Sequence, residues 1–244
     1  MIINPYRFTA AGATLPTPLH WFDLDSLTGG LTDQGSGTST FDLGTTGTPT
    51  VASTSGANGQ AVIDLDNGDW LSSTTSGWDS ATDLLSVSVW FQADSISSGV
   101  NSLVSWQSNS NQLTQTAIFN NSAPFFNLRD ATSTRGQAYD GTNTVSTGTW
   151  YHMVGTYDGT AVKYYLDGVL QSGATETITL GAFGTASHPF NIGRQAYNTT
   201  DATSQHIGKV GAVGIWDAGL SADEVSTLYG GGTTDGYYAD YNWT

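Results

Sequence analysis

The chain has 244 residues, with 21 Asp and Glu against 6 Lys and Arg for a net charge of −15, no Cys, and 36 Thr with 26 Ser. Short hydroxyl side chains suit strand surfaces and turns rather than helix interiors, which argues against a helical protein; the excess of negative charge argues against nucleic acid and anionic membrane surfaces as partners. With 38% hydrophobic residues, 8 Trp, 11 Tyr and 9 Phe the chain is too apolar to be disordered, and its length suits one large β sandwich.

In chain order, residues 1–18 read as an arm, because Pro5, Pro16 and Pro18 interrupt any periodicity. Met1 to Phe8 lacks the apolar run of a secretory signal and no stretch approaches the ~20 apolar residues of a membrane span, so neither Sec-type export nor membrane insertion is expected. A first strand is predicted at Leu19 to Phe22, and the Gly/Thr/Ser-rich stretch 28–60 reads as short strands joined by turns. Ala61 to Leu65 reads as a strand closed by the turn Asp66-Asn-Gly-Asp69. Ser86 to Gln92 places Val87, Val89 and Phe91 on one face, the period of two that marks a half-buried strand. Further strands are predicted at 102–106, 114–119, 124–129, 150–157, 161–171, 190–194 and 207–216. One helix is expected over Leu220 to Tyr229, with Ser221 as N-cap, Glu224 completing a capping box, Leu220 and Val225 as hydrophobic staple, and Gly230 ending it. The tail 231–244 carries Tyr237, Tyr238, Tyr241 and Trp243, too many rings for a merely solvated end. The expected organisation is therefore an arm (1–18), one sandwich domain (19–230) and an aromatic tail (231–244).

Trp150-Tyr-His-Met-Val-Gly-Thr-Tyr-Asp-Gly159 followed by Val162 to Gly168 resembles the central hairpin of laminin G-like and pentraxin domains, with a Trp-x-His strand, a Tyr-Asp-Gly turn and a strand ending in Asp-Gly. Phe190 to Gly193, Ile207 to Asp217 and the capped helix are similar to the closing strands and terminal helix of those families. The resemblance covers roughly residues 61–230. It implies an all-β, concanavalin A-like jelly roll of two antiparallel sheets with one short C-terminal helix, a fold that hosts lectins, adhesion modules and glycoside hydrolases.

Function has to come from the site. Glycoside hydrolysis needs two carboxylates about 5 to 9.5 Å apart across the sugar, and the resemblance implies a Glu pair spaced Glu-x-Asp-x-x-Glu. This chain has only Glu176 and Glu224, the second inside the capping box, so no catalytic residues are expected and an Asp pair is left as the hydrolase alternative. His20, His152, His188 and His206 lack zinc-ligand spacing, and His152 alternates with Trp150 and Val154 as a satisfied core residue would. The resemblance to pentraxins implies calcium sites in Ser108 to Gln112 and Arg194 to Asn198, but neither segment holds a carboxylate, so no cofactor is expected. Calcium stays an alternative at Asp64 to Asp69, where an ordinary hairpin turn is the preferred reading. The candidate ligand-binding residues are Asn109, Asn111, Gln195 and Tyr197, on loops that the family alignment makes neighbours; amides and a ring suit the hydroxyls and apolar faces of a neutral sugar.

Met1-Ile-Ile-Asn-Pro-Tyr-Arg-Phe8 resembles the beginnings of some virion proteins of tailed bacteriophages. The expectation is a non-enzymatic virion accessory protein, a head decoration or a tail or fibre component, displaying a lectin-like domain that binds glycan. Its partners would be virion subunits and a cell-surface or extracellular glycan, and it would be a homo-oligomer or assembled on a larger particle. An exported carbohydrate-binding or adhesion module is the alternative, and a glycoside hydrolase the third reading.

Overall fold

The computed structural model describes residues 13, 15–37, 41–57, 59, 61–76, 83–107, 113–119, 121–183, 189–195 and 204–230. Its strands are β1 (His20–Phe22), β2 (Leu43–Thr46), β3 (Thr50–Ala52), β4 (Val62–Leu65), β5 (Trp70–Ser76), β6 (Leu85–Ser95), β7 (Asn101–Gln107) and β8 (Leu113–Ile118) in the first half. The second half adds β9 (Pro124–Arg129), β10 (Arg135–Tyr139), β11 (Trp150–Tyr157), β12 (Ala161–Leu166), β13 (Val169–Thr177), β14 (Pro189–Ile192), β15 (Ile207–Trp216) and the helix α1 (Ala222–Tyr229).

Two antiparallel sheets pack face to face. One runs β13-β12-β11-β6-β15-β4-β3, with β1 also paired to β15; the other runs β10-β9-β8-β7-β14-β5-β2. Alternation along the strands sends every second side chain inward. Val87, Val89, Phe91, Met153 and Val213 from the first sheet meet Val104, Trp106, Phe126, Leu128 and Ile192 from the second in one core. Each such burial contributes about 1.5 to 3 kcal/mol. The sheets approach closely at Gly155, where a Cβ would lie 2.2 Å from the Phe126 ring.

A second apolar cluster lies on the outer face of the eight-stranded sheet. There Val225 and Leu228 of α1 cover Val154, Tyr165, Ala212 and Trp216. The helix is capped as the sequence predicts: the Ser221 side chain accepts from the Glu224 amide, Glu224 reaches back to the Ser221 amide, and Gly230 closes it in the left-handed conformation. Leu220 and Val225 are both buried in this cluster. Leu15 joins them and the Pro16 carbonyl accepts from Trp216 Nε1 at 2.8 Å, so the described end of the arm packs on its own domain. The remaining residues expected in the arm and the aromatic tail lie outside the described residues.

His152 is buried, as expected, but under the helix rather than between the sheets. Its Nε2 is 2.7 Å from Ser88 Oγ, and its ring stacks on Trp90 and Tyr229 at 4.7 and 6.0 Å between centroids. Nδ1 is buried with no hydrogen-bond partner, so the histidine is only half satisfied. Burial pushes its pKa down to about 3.

Three expectations need correction. The strand predicted over 161–171 is the hairpin β12–β13, turned at Asp167 and Gly168, whose φ values are 50° and 76°. Three strands were not expected as such, β5, β10 and β13: β5 is mostly Ser and Thr and β10 turns Gly136 and Ala138 inward, so neither shows an apolar stripe. The Asp66–Asp69 turn is not a hairpin, because β4 and β5 belong to different sheets and the turn carries the chain between them. Asp69 accepts from the Thr48 and Asp66 amides, and Gln205 clamps the turn by donating to the Asp66 and Asp69 carbonyls and accepting from the Gly68 amide. Asp64 faces Lys209 at 3.6 Å. These carboxylates are committed to protein groups, which favours the turn reading over calcium.

Candidate functional site

On the seven-stranded sheet the side chains between the core residues point outward, and register lines them up across the strands. Gln137 pairs with Asn127, Asn127 with Gln115, Gln115 with Ser105, Ser105 with Asn191, and Asn191 with Ser72. The row therefore crosses six strands with amides and hydroxyls about 4.8 Å apart. Each member sits between inward residues, as Asn127 does between Phe126 and Leu128 and Asn191 between Phe190 and Ile192. Ser72 Oγ donates to Asn191 Oδ1 at 2.8 Å.

The middle of the row is nearly closed. Gly193, with φ 86°, turns the chain after β14 back over the face, so that the Arg194 carbonyl accepts from Ser105 Oγ at 2.7 Å. The Arg194 guanidinium lies 4.1 Å from the Trp70 ring centroid, a cation–π contact that fixes the base of this loop. Beneath it Gln115 is 5% exposed, and its Oε1 is buried without a hydrogen-bond partner. An orphaned amide oxygen costs about 1 to 3 kcal/mol in desolvation, which a donor such as a ligand hydroxyl would recover.

The row opens at its β10 edge, where Gln137 is half-buried, while Asn127 on β9 is still buried. Two strands of five matched positions place three cross-strand pairs on the outer face: Arg135 with Arg129, Gln137 with Asn127, and Tyr139 with Phe125. Tyr139 is 37% exposed and is braced edge-on by Phe119 at 5.0 Å and by Asn121 Nδ2 donating to its hydroxyl at 3.1 Å. Phe119 stacks on Phe125 at 4.0 Å. The inward positions of β10 are small for a reason: a Cβ on Gly136 would lie 2.6 Å from Val162. Edge strands β10 and β13 are joined where the Gln137 amide donates to the Glu176 carboxylate. Tyr139 and Arg135 are exposed, and Gln137 and Arg129 half-buried, on one surface with Asn127 buried beneath it, a set that can stack on a sugar face and exchange hydrogen bonds with its substituents.

Of the residues singled out from the sequence, only Gln195 falls among the described ones, half-buried beside the loop base, its amide donating to the Ser204 carbonyl at 3.2 Å. Asn109, Asn111 and Tyr197 lie outside the described residues. β7 and β14 are antiparallel, so they release their following loops at opposite ends of the sheet, and the expected juxtaposition does not follow from the strands. The residues missed were Tyr139, Gln137, Asn127, Gln115, Arg129 and Arg135. Asn127 and Arg129 were legible as the outward positions of the predicted strand 124–129; those on β10 were not, because Gly136 and Ala138 hide its alternation.

Neither Glu makes a catalytic pair: Glu176 ties two edge strands and Glu224 caps the helix. Asp130, next to Arg129, is pushed up by burial but held below the usual carboxylate range overall by hydrogen bonds from Gly181, Thr132 and Thr134.

The model of the concanavalin A-like lectin/glucanases superfamily matches residues 64–226, most of the sandwich, and the chain belongs to that superfamily. It is a lectin-like jelly-roll domain. No curated protein matches it by sequence. Among solved structures it is similar to domain 4 of AbnA, an extracellular arabinanase of family GH43 from Geobacillus stearothermophilus, solved with arabinotriose. Identity is 17%, with 89% of this chain and 99% of that one covered and a TM-score of 0.64. It is also similar to the binding domain of botulinum neurotoxin serotype D, at 14% identity, 88% and 52% coverage and TM-score 0.65. The binding domain of Paraclostridial Mosquitocidal Protein 1 gives 12% identity, 87% and 52% coverage and TM-score 0.64. The alignments span about half the length of these toxin domains. At such identities the likeness shows the fold.

Proposed function

We propose that this protein is a non-catalytic carbohydrate-binding module that holds a saccharide on the outer face of the seven-stranded sheet, entered from β9 and β10. The observation that carries the reading is the in-register amide row, with Gln115 Oε1 buried and unpartnered in its covered middle and Tyr139 exposed on β10, two residues along the strand from Gln137 at the row's edge. Tyr139 stacks on a ring face while Gln137 exchanges hydrogen bonds with its hydroxyls. The likeness to an arabinanase domain solved with arabinotriose makes pentose oligomers the first probes.

The test is binding of the full chain to immobilised arabino-, xylo-, gluco- and galacto-oligosaccharides, alongside Tyr139→Ala and Gln137→Ala. Tyr139 is exposed and Gln137 half-buried on an edge strand, so the melting temperature should change little while affinity falls roughly tenfold, about 1.4 kcal/mol. Full affinity in both variants would overturn the site. Prolonged incubation with the same polymers should release no reducing ends above background; release abolished by a single Asp substitution would overturn the non-enzymatic reading.

The setting we propose is display on a tailed-phage particle, supported by the resemblance of Met1 to Phe8 to virion proteins. A mass spectrum of purified particles that lacks this chain would exclude it, leaving an exported adhesion module.

A further inference from the structure

Arg129 and Arg135 are direct partners in the β9–β10 ladder, on the outer face. Like charges placed opposite each other in a sheet destabilise it, and the chain has 21 acidic residues with which to neutralise them. Among the described residues the ion pairs are made by His20, Lys163 and Lys209, and neither arginine takes part. The nearest carboxylate in sequence, Asp130, is turned to the Gly181, Thr132 and Thr134 amides. Arg129 is held in place by Nη1 donating to the Ser133 carbonyl at 3.0 Å, and Arg135 is exposed.

We propose that this pair takes the carboxylate of an acidic saccharide, so that the site prefers sugars bearing a carboxylate over neutral ones. The inference rests on the saccharide reading of the same face. Guanidinium groups match carboxylates in planar, charge-assisted geometry. The pair lies two residues, about 7 Å, along the strands from Asn127 and Gln137, the reach of one sugar ring. Tyr139 follows two residues further on the same face. A ligand with a ring on Tyr139, hydroxyls at Gln137 and a carboxylate at the arginines uses every outward group of β10. The overall charge of −15 does not prevent this, since charges beyond about 8 Å are largely screened at physiological salt. Two arginines in that acidic setting are too few for a phosphate polymer.

The experiment is calorimetric titration of the full chain with tetragalacturonate and its methyl ester, and with sialyllactose and lactose, to separate uronic from sialic acid as the source of the carboxylate. At least one acid should bind roughly tenfold tighter than its neutral counterpart, as expected for a charge-assisted pair. Raised salt should shrink that preference, and Arg135→Gln should abolish it at unchanged melting temperature. Arg129→Lys, which keeps the charge but loses the planar fork, should reduce it. Equal binding of acid and neutral forms, or a preference that survives Arg135→Gln, overturns the inference. If neutral sugars bind and Tyr139→Ala weakens them while no acid is preferred, the saccharide site stands and the carboxylate role falls. If no sugar binds but free polyglutamate does so through Arg135, both fall in favour of an acidic peptide. If nothing binds, both fall outright.

Discussion

Replacing His152 with Phe should flatten the acid limb of the stability curve. In the folded chain the imidazole is fully buried between Trp90, Tyr229 and Ser88, and burial lowers its pKa from 6.5 to about 3. The unfolded chain therefore binds this proton over a window in which the folded chain does not. Stability from the neutral ring is complete above 6.5 and is lost as pH falls through the window toward about 3. Each pH unit inside it removes about 1.4 kcal/mol, on the order of 5 kcal/mol across the whole. His206, lowered to about 4 mainly by burial, adds a parallel slope that the substitution leaves in place. The Asp167 carboxylate, raised by burial, accepts the His152 amide and titrates in both proteins, so the difference between them isolates the imidazole. At pH 7 the variant should be weaker by about 1 kcal/mol for the lost Ser88 bond. By pH 4.5 it should match or exceed the parent. Urea unfolding at half-unit steps from pH 7 to 4.5 measures this, and parallel slopes for the two proteins would refute the reasoning.

Three further outcomes are expected. Ser221→Ala removes the N-cap acceptor and should cost about 1 kcal/mol, read as a lower denaturation midpoint at unchanged m-value. Gly155→Ala puts a methyl into the Phe126 ring, which the packed sheets cannot yield without strain, and should cost about 1 to 3 kcal/mol in the same assay. Removing residues 1–18 should lower the melting temperature, because Leu15 leaves the outer cluster and Trp216 Nε1 loses its acceptor, at about 1 to 3 kcal/mol for the buried donor.

The resemblance carried by Trp150 to Gly168 and the capped helix led directly to the jelly roll, because hairpins, turns and caps are local devices whose chemistry is written in adjacent residues. Strand boundaries at 124–129 and 150–157 were legible for a local reason too: inward residues repeat every two positions, whereas 207–216, with a bulge between Val210 and Val213, was legible through the resemblance. β10 escaped because Val162 leaves no room for a side chain at Gly136, a constraint imposed by a strand far along the chain.

The outer face of the seven-stranded sheet shows the same division more sharply. Sequence alone determined the acidic all-β character of the chain, its helix and the lack of a Glu pair. It pointed to loop amides as the site, since polar loops are visible one segment at a time. Only the tertiary structure decided that Gln137, Asn127, Gln115, Ser105, Asn191 and Ser72 form one row, for they come from six strands and owe their alignment to register. It likewise decided that Arg129 and Arg135 stand opposite each other and that His152 lies under the helix. Register is fixed by which side chains fill the core, and that is a property of the whole packed sandwich rather than of any one stretch of sequence.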